Sequence, residues 1–281
     1  MSPTIALLGV GKLGEALLSG LLRSGTPAGS MLAAERHADH AAEIAERYGV
    51  ATPSPEQATA QADIVLLAVK PQDMRALLVE VAAHVRPGTL VVSMAAGIPA
   101  AFVEDLLPEG TAVVRVMTNT PVFVDEAMSA ISAGAHAGLE HLRTVEDLLS
   151  KVGKVVRVPE SQQDAVTALS GSGPAYFFYL VEAMIDAGIL LGLPRTVAAD
   201  LIVQSAFGAA RMLRESDDHP VILREAVTSP AGTTIAAIRE LERHGVRAAL
   251  IAAIEAARDR SEELGRAALA AGTRSDDRPS P

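Results

Sequence analysis

Gly9-Val10-Gly11-Lys12-Leu13-Gly14 stands directly behind an apolar run at residues 4–8 and opens a segment, 14–24, in which Ala16, Leu17, Leu21 and Leu22 share one helical face. The order strand, GxGxxG turn, helix gives each glycine a physical reason. The first permits the tight turn, the second lets a pyrophosphate reach the backbone, and the third lets helix and strand pack closely, with the helix N-terminus facing the phosphates. Gly9, Gly11, Lys12, Leu13 and Gly14 are therefore candidate dinucleotide contacts.

Outward from this turn, short apolar runs at 4–8, 31–34, 64–68, 90–94, 112–117, 128–132 and 155–158 alternate with amphipathic helical stretches such as 14–24, 38–48 and 72–85. That alternation reads as α/β: an N-terminal Rossmann domain, doubly wound around a mostly parallel sheet, over residues 1–159. Beyond Pro159 the strand signal stops. The segments 174–191, 194–214, 233–244 and 246–269 are all helical in pattern, so 160–271 is expected to be an all-α domain, with a disordered polar tail at 272–281. Glu35 and Arg36 end the second strand, where an adenosine ribose arrives. A carboxylate there accepts from a 2′-hydroxyl and favours NAD, whereas a guanidinium pairs with a 2′-phosphate and favours NADP. With Arg36 on the phosphate and Glu35 turned outward, the expected cofactor is NADPH, NADH being possible. Ala68-Val69-Lys70-Pro71 and the pair Ala95-Ala96 close two further strands and are expected to face the same crevice, although small residues at such turns also serve packing.

Composition narrows the function classes. The 281 residues contain no cysteine, which excludes disulfides and thiolate chemistry and fits a reducing, cytoplasmic setting. The seven histidines have no metal-ligand spacing, so no metal is expected. A net charge of −10 without a basic stripe argues against nucleic acid. No run of eighteen apolar residues escapes a charge, Gly or Pro, and no basic segment precedes the first apolar run, so neither a membrane span nor secretion is expected. Aromatic residues make up only 3%. Small residues on two long helical segments, Ala183, Ala187, Gly188, Ala206, Gly208, Ala209 and Ala210, predict close helix packing and a homodimer or higher homo-oligomer.

Two further motifs belong to the second half. Ser170-Gly171-Ser172-Gly173-Pro174-Ala175-Tyr176 reads as an interruption between helices, with Pro174 in a first turn and free N–H groups for an anion. Thr228-Ser229-Pro230-Ala231-Gly232-Thr233-Thr234 also precedes a helix and presents four hydroxyls; either motif is equally readable as a plain helix cap.

Taken together, GVGKLGEAL (9–17), AVKP (68–71), MAAGI (94–98), RVMTNTP (115–121), VPESQQDAVTALSGSGPAYFF (158–178) and VTSPAGTTIAAI (227–238) resemble pyrroline-5-carboxylate reductase. That family reduces the cyclic imine Δ1-pyrroline-5-carboxylate to L-proline, the last step of proline biosynthesis. The resemblance implies a helical dimerisation domain after the Rossmann domain. It further implies that Thr233 and Thr234 meet the substrate, that Ser229 lies near the substrate carboxylate and that Glu160 lines the pocket edge. The helix starts at Gly173-Pro174 and Gly232 would hold the carboxylate through N–H groups. Thr234 is the candidate catalytic donor to the ring nitrogen; a threonine hydroxyl is too weak an acid to protonate an amine, so its role is orientation. Thr118, Asp125, Ala226 and Ala231 depart from the family pattern, Ala231 standing in for a glycine. A β-hydroxyacid dehydrogenase-like enzyme would need a lysine in the helical domain, yet Lys12, Lys70, Lys151 and Lys154 all precede it. A dinucleotide sensor without chemistry is the alternative from another class; a retained second pocket argues against it and turnover of pyrroline-5-carboxylate with NADPH separates the two, while a purely structural module would have no use for either loop.

Overall fold

The computed structural model describes residues 3–273, with side chains up to residue 268. Its contacts divide the chain into two units, one formed by the residues up to Ser172 together with those from Ala257 onward, the other by Gly173–Ala256.

The first unit holds seven strands, β1 (Ile5–Leu8), β2 (Met31–Ala34), β3 (Ile64–Leu67), β4 (Leu90–Ser93), β5 (Ala112–Met117), β6 (Ala127–Ala133) and β7 (Gly153–Arg157). They lie in the order β2-β1-β3-β4-β5-β6-β7, parallel throughout except where β5 meets β6. The first four strands are buried at every position, which is why they read as unbroken apolar runs. Alternate side chains feed two cores. Ile5 and Leu7 pack with Leu17 of α1 (Lys12–Arg23) and Ile44 of α2 (Ala38–Tyr48); Ala6 and Leu8 pack with Ala58 of α3 (Pro55–Gln61), Leu78 of α4 (Met74–Val81) and Phe102 of α5 (Ala100–Glu104). Further along, α6 (Leu139–Leu149) adds Val145 and Leu149 to the first core.

Three departures from the sequence pattern have local causes. The helix expected at 72–85 is shorter, because Pro71–Asp73 and Ala82–His84 are 3-10 turns flanking α4. Helices α3, α5 and α6 are additional; α3 is announced by Ser54-Pro55-Glu56-Gln57, where the Ser54 hydroxyl accepts the Gln57 N–H and Gln57 Oε1 accepts the Ser54 N–H. The Ser170–Tyr176 segment does not interrupt a helix. After α7 (Gln163–Val166) the residues Thr167–Gly171 form a π-turn, with the Ser172 N–H donating to Thr167 C=O at 2.9 Å, and the chain runs directly into α8 (Gly173–Leu190).

Strand character ends near Pro159, but the following turns stay with the sheet. Gln163 is wholly buried, its amide donating to Ala130 C=O (3.2 Å) and Ser132 Oγ (2.8 Å). The second unit comprises α8, α9 (Arg195–Glu215), α10 (Pro220–Ala226), α11 (Thr233–Arg243) and the first part of α12 (Val246–Thr273). Of residues 173–256 only Gly173 and Ala198 are buried. Gly188 lets α8 approach α9, since a Cβ there would lie 2.8 Å from that of Ala198. By contrast Phe178, Leu190 and Phe207 are 69%, 88% and 60% exposed. Among the described residues the helical run Glu160–Leu190 is also long and apolar enough, by length and composition, to cross a membrane. From Ala257 onward α12 returns to the first unit: Ser261 is buried and donates to Asp164 Oδ1 (2.7 Å), and Gly265 sits against the Gly97 carbonyl where a Cβ would come within 2.6 Å. The tail expected at 272–281 begins inside this helix at Gly272 and Thr273; from 274 on it lies outside the described residues.

Candidate functional site

A chain that passes from β1 outward to β2 and then back to β3 on the other side leaves a crevice at the carboxyl ends of β1 and its neighbours. There the structure has a cleft of about 690 Å³ whose walls include Gly9, Gly11, Glu35, Arg36, Ala68, Val69 and Lys70, seven of the thirteen residues expected to bind the dinucleotide. Gly9 has φ +95°, a conformation that L side chains rarely adopt, and a Cβ on it would meet Val69 at 2.7 Å. A Cβ on Gly14 would be 2.2 Å from the Gly9 carbonyl, so that glycine serves helix–turn packing. Over Gly11, the N-cap of α1, the space is open, as a phosphate seated on the first-turn N–H groups requires. Lys12, Leu13, Gly14, Pro71, Ala95 and Ala96 are not part of the cleft wall; Ala95 is buried in the second core.

Glu35 does not turn outward as expected. Its carboxylate, 11% exposed, accepts the Val10 N–H of the glycine turn (3.2 Å) and the His37 N–H (3.1 Å), with His40 Nδ1 3.7 Å away. The turn's own N–H outcompetes solvent for it. Arg36 stands exposed on the cleft rim with no ion pair among the described residues. Ser54 and Glu56 also line the cleft, where the Ser54 hydroxyl donates to Glu56 (2.6 Å) and holds its carboxyl below the usual carboxylate range. Sequence reasoning passed over His40, Ser54 and Glu56; the capping pattern at the start of α3 was the available signal.

Glu160 belongs to a different cluster. Its Oε1 accepts the Ala100 N–H (2.7 Å) and lies 3.3 Å from Nη1 of Arg115, whose other Nη is 3.5 Å from Asp164. Arg115 is only 5% exposed, and two carboxylates answer the cost of burying it. A charge in the middle of the apolar run Ala112–Met117 was the sequence sign of this network. One residue pair along, Asn119 bridges β6 and the π-turn. Its Oδ1 accepts the Met128 N–H (2.9 Å) while its Nδ2 donates to the Ser170 carbonyl (3.1 Å). Thr118, where the family pattern has proline, is buried and accepts a hydrogen bond from Ser129 Oγ (2.8 Å).

In the second unit, the Ser229–Gly232 turn closes through Gly232 N–H to Ser229 C=O (3.1 Å) and places Ala231 at φ +55°. Gly232 caps α11 with extended backbone and no side-chain hydrogen bond, so the first-turn N–H groups at Thr233 and Thr234 face no protein cap. A Cβ at Gly232 would strike Ser229 Oγ at 2.3 Å, which places that hydroxyl against the cap. Thr228 is engaged elsewhere, donating to Arg224 C=O (2.7 Å). Thr233 is exposed and Thr234 half-buried. Among the described residues no group of three His, Asp or Glu side chains is placed to hold a metal ion.

Comparison with known proteins matches residues 160–264 to the pyrroline-5-carboxylate reductase dimerisation model and residues 4–97 to the model for NADP oxidoreductase, coenzyme F420-dependent. A pyrroline-5-carboxylate reductase of Corynebacterium melassecola is 46% identical over 94% of this chain and 99% of its own length. The chain belongs to the pyrroline-5-carboxylate reductase family. The Mycobacterium tuberculosis reductase is 44% identical over 92% of the chain and 96% of its own length. Among solved structures, the pyrroline-5-carboxylate reductase of Coxiella burnetii superposes with a TM-score of 0.88 at 34% identity, covering 94% of this chain and 99% of its own. The Plasmodium falciparum pyrroline carboxylate reductase, solved with NADP bound, gives 0.86 at 25% identity, covering 94% and 98%. As a pyrroline-5-carboxylate reductase family member the chain is an oxidoreductase with a sheet unit and a helical unit, as its sequence pattern implies.

Proposed function

We propose that this chain reduces Δ1-pyrroline-5-carboxylate to L-proline, with NADPH as the preferred hydride donor and NADH usable. The observation that carries the reading is its near full-length kinship with pyrroline-5-carboxylate reductases. Bound NADPH would supply hydride from nicotinamide C4. The protein's part is to hold and orient. In the sheet unit, the uncovered space at Gly11 and the free guanidinium at Arg36 suit a pyrophosphate and a 2′-phosphate. In the helical unit, the uncapped start of α11 at Gly232 suits the substrate carboxylate, a local attraction that must outweigh the field of a chain with net charge −10. Thr234 orients the ring nitrogen through its hydroxyl, Thr233 and Ser229 complete the polar lining, and the proton comes from solvent. Glu160, Gly173 and Pro174 are further substrate residues that family resemblance assigns.

The working unit we assign is a homodimer or larger homo-oligomer, in which a second copy covers the apolar side chains that α8 and α9 leave exposed. The compartment we assign is the cytoplasm, where a chain without cysteine loses nothing to reducing conditions. Initial rates with NADPH and NADH, each against pyrroline-5-carboxylate and against a 3-hydroxyacid pair, test substrate class and cofactor together. Turnover of the imine acid alone, faster with NADPH, is expected. Turnover of the 3-hydroxyacid pair, or of neither, overturns the reading.

A further inference from the structure

We infer that Asn119 is a positioning residue for the substrate end of α8, because its side chain supplies the hydrogen bond that Pro174 takes away. In an α-helix the carbonyl of residue 170 accepts from the N–H of residue 174. Proline has no N–H, so Pro174 cannot serve as the α-helical donor to the Ser170 carbonyl. Asn119 Nδ2 reaches that carbonyl at 3.1 Å, and Ser170 Oγ at 3.4 Å. The amide is held from behind, since its Oδ1 accepts the Met128 N–H at 2.9 Å from β6. Two residues earlier on the same segment, Met117 touches Gly171: a Cβ there would fall 2.3 Å from the Met117 methyl. The end of β5 and the chain just after it therefore grip two consecutive residues of the π-turn, one by a hydrogen bond and one by van der Waals contact. Single π-turns inside longer helices recur at functional sites. This one, Thr167–Gly171, immediately precedes Gly173 and Pro174, the first residues of α8.

The inference rests on the proposed imine reduction for its functional half, while its physical half is a coupling between two residues. Asn119→Ala removes the donor and leaves the Ser170 carbonyl unpaired. Asn119→Asp keeps the acceptor for Met128 and replaces the donor by a repelling oxygen. Pro174→Ala brings an N–H back to the helix, so Asn119→Ala made in that background should do far less damage than in the wild type. On purified full-length protein, both Asn119 variants should raise the KM for pyrroline-5-carboxylate and lower kcat/KM about 5- to 50-fold, the range for a hydrogen bond whose loss strands a partly buried acceptor. The KM for NADPH should stay within about twofold, because the dinucleotide cleft is elsewhere in the sheet unit. In the Pro174→Ala background most of the loss from Asn119→Ala should vanish. Equal loss in both backgrounds, or a lowered melting temperature with unchanged kinetics, overturns the inference. If the wild type does not turn over pyrroline-5-carboxylate at all, the functional reading falls by itself, and the double-mutant cycle read in melting temperature still decides whether Asn119 substitutes for the missing N–H: additive shifts refute it.

Discussion

Glu35 and Arg36 adjoin in sequence and do opposite things in the fold. The carboxylate is tied down by Val10 and His37, and the guanidinium is left at the cleft rim. Sequence showed both groups at the strand end but not which would turn inward, because the choice depends on a backbone N–H that only the folded turn presents. Arg36→Ala is expected to lower kcat/KM with NADPH roughly tenfold and leave NADH nearly untouched, a modest figure for an exposed charge-assisted contact. Glu35→Gln keeps an acceptor for Val10 and removes a negative charge near the 2′-phosphate, so the NADPH-to-NADH ratio should rise. Unchanged ratios in both variants would take cofactor choice away from the end of β2. For Thr234 the structure alters the competing explanation. Helix α11 is capped by Gly232, and Thr234 lies within its first turn, so the hydroxyl has no capping duty to lose. Thr234→Val should leave melting temperature and NADPH affinity close to wild type and reduce kcat/KM for the imine acid by about 10- to 150-fold. Steady-state rates equal to wild type would remove Thr234 from the site.

At the scale of elements, what was legible and what was not follows from how each element is held. The strands β1 to β4 were readable because burial on both faces demands unbroken apolar runs, and the glycine turn because its geometry leaves few alternatives. The continuity from α7 through the π-turn into α8 was not readable, since Ser-Gly-Ser-Gly-Pro is ordinary helix-breaking sequence and only the tertiary contacts from Met117 and Asn119 make it helical. Likewise Glu160 is a substrate residue by resemblance and a partner of buried Arg115 by contact. The turn before α11 shows a cost that sequence alone could only mark as a departure. Ala231 at φ +55° bears a left-handed conformation that glycine adopts without strain. Ala231→Gly relieves strain of about 1–2 kcal/mol, part of it offset by the greater freedom of glycine in the unfolded chain, for a net gain of roughly 0.5–1 kcal/mol. A melting temperature higher by about 1–4 °C is the expected result, and a fall would mean that the turn is not strained.

For the whole molecule the decisive feature is the helical unit, which buries only Gly173 and Ala198 between residues 173 and 256. Such a unit has no core with which to offset the entropy of ordering its own helices. Folding and self-association should therefore be one event. Light scattering on the 29.1 kDa chain should give twice that mass or a larger multiple at assay concentration, and the apparent unfolding free energy of a dimer should rise by about 1.4 kcal/mol for each tenfold increase in protein. A folded, active monomer would contradict this.

The return of α12 to the first unit has a consequence in time. Ser261 and Gly265, which pack on Asp164 and on the Gly97 turn, are made only after the whole stretch Gly173–Ala256 has been synthesised. At roughly 5–20 residues per second, a ribosome takes on the order of ten seconds to lay down that insert. During that interval the nascent dinucleotide unit is complete in its strands yet still lacks its last helix, while the apolar helices now emerging have nothing to cover them. A nascent chain arrested near residue 256 lacks both, and while the last turns of α12 complete the dinucleotide unit, the apolar faces of α8 and α9 stay open to chaperones and aggregation until a second copy arrives.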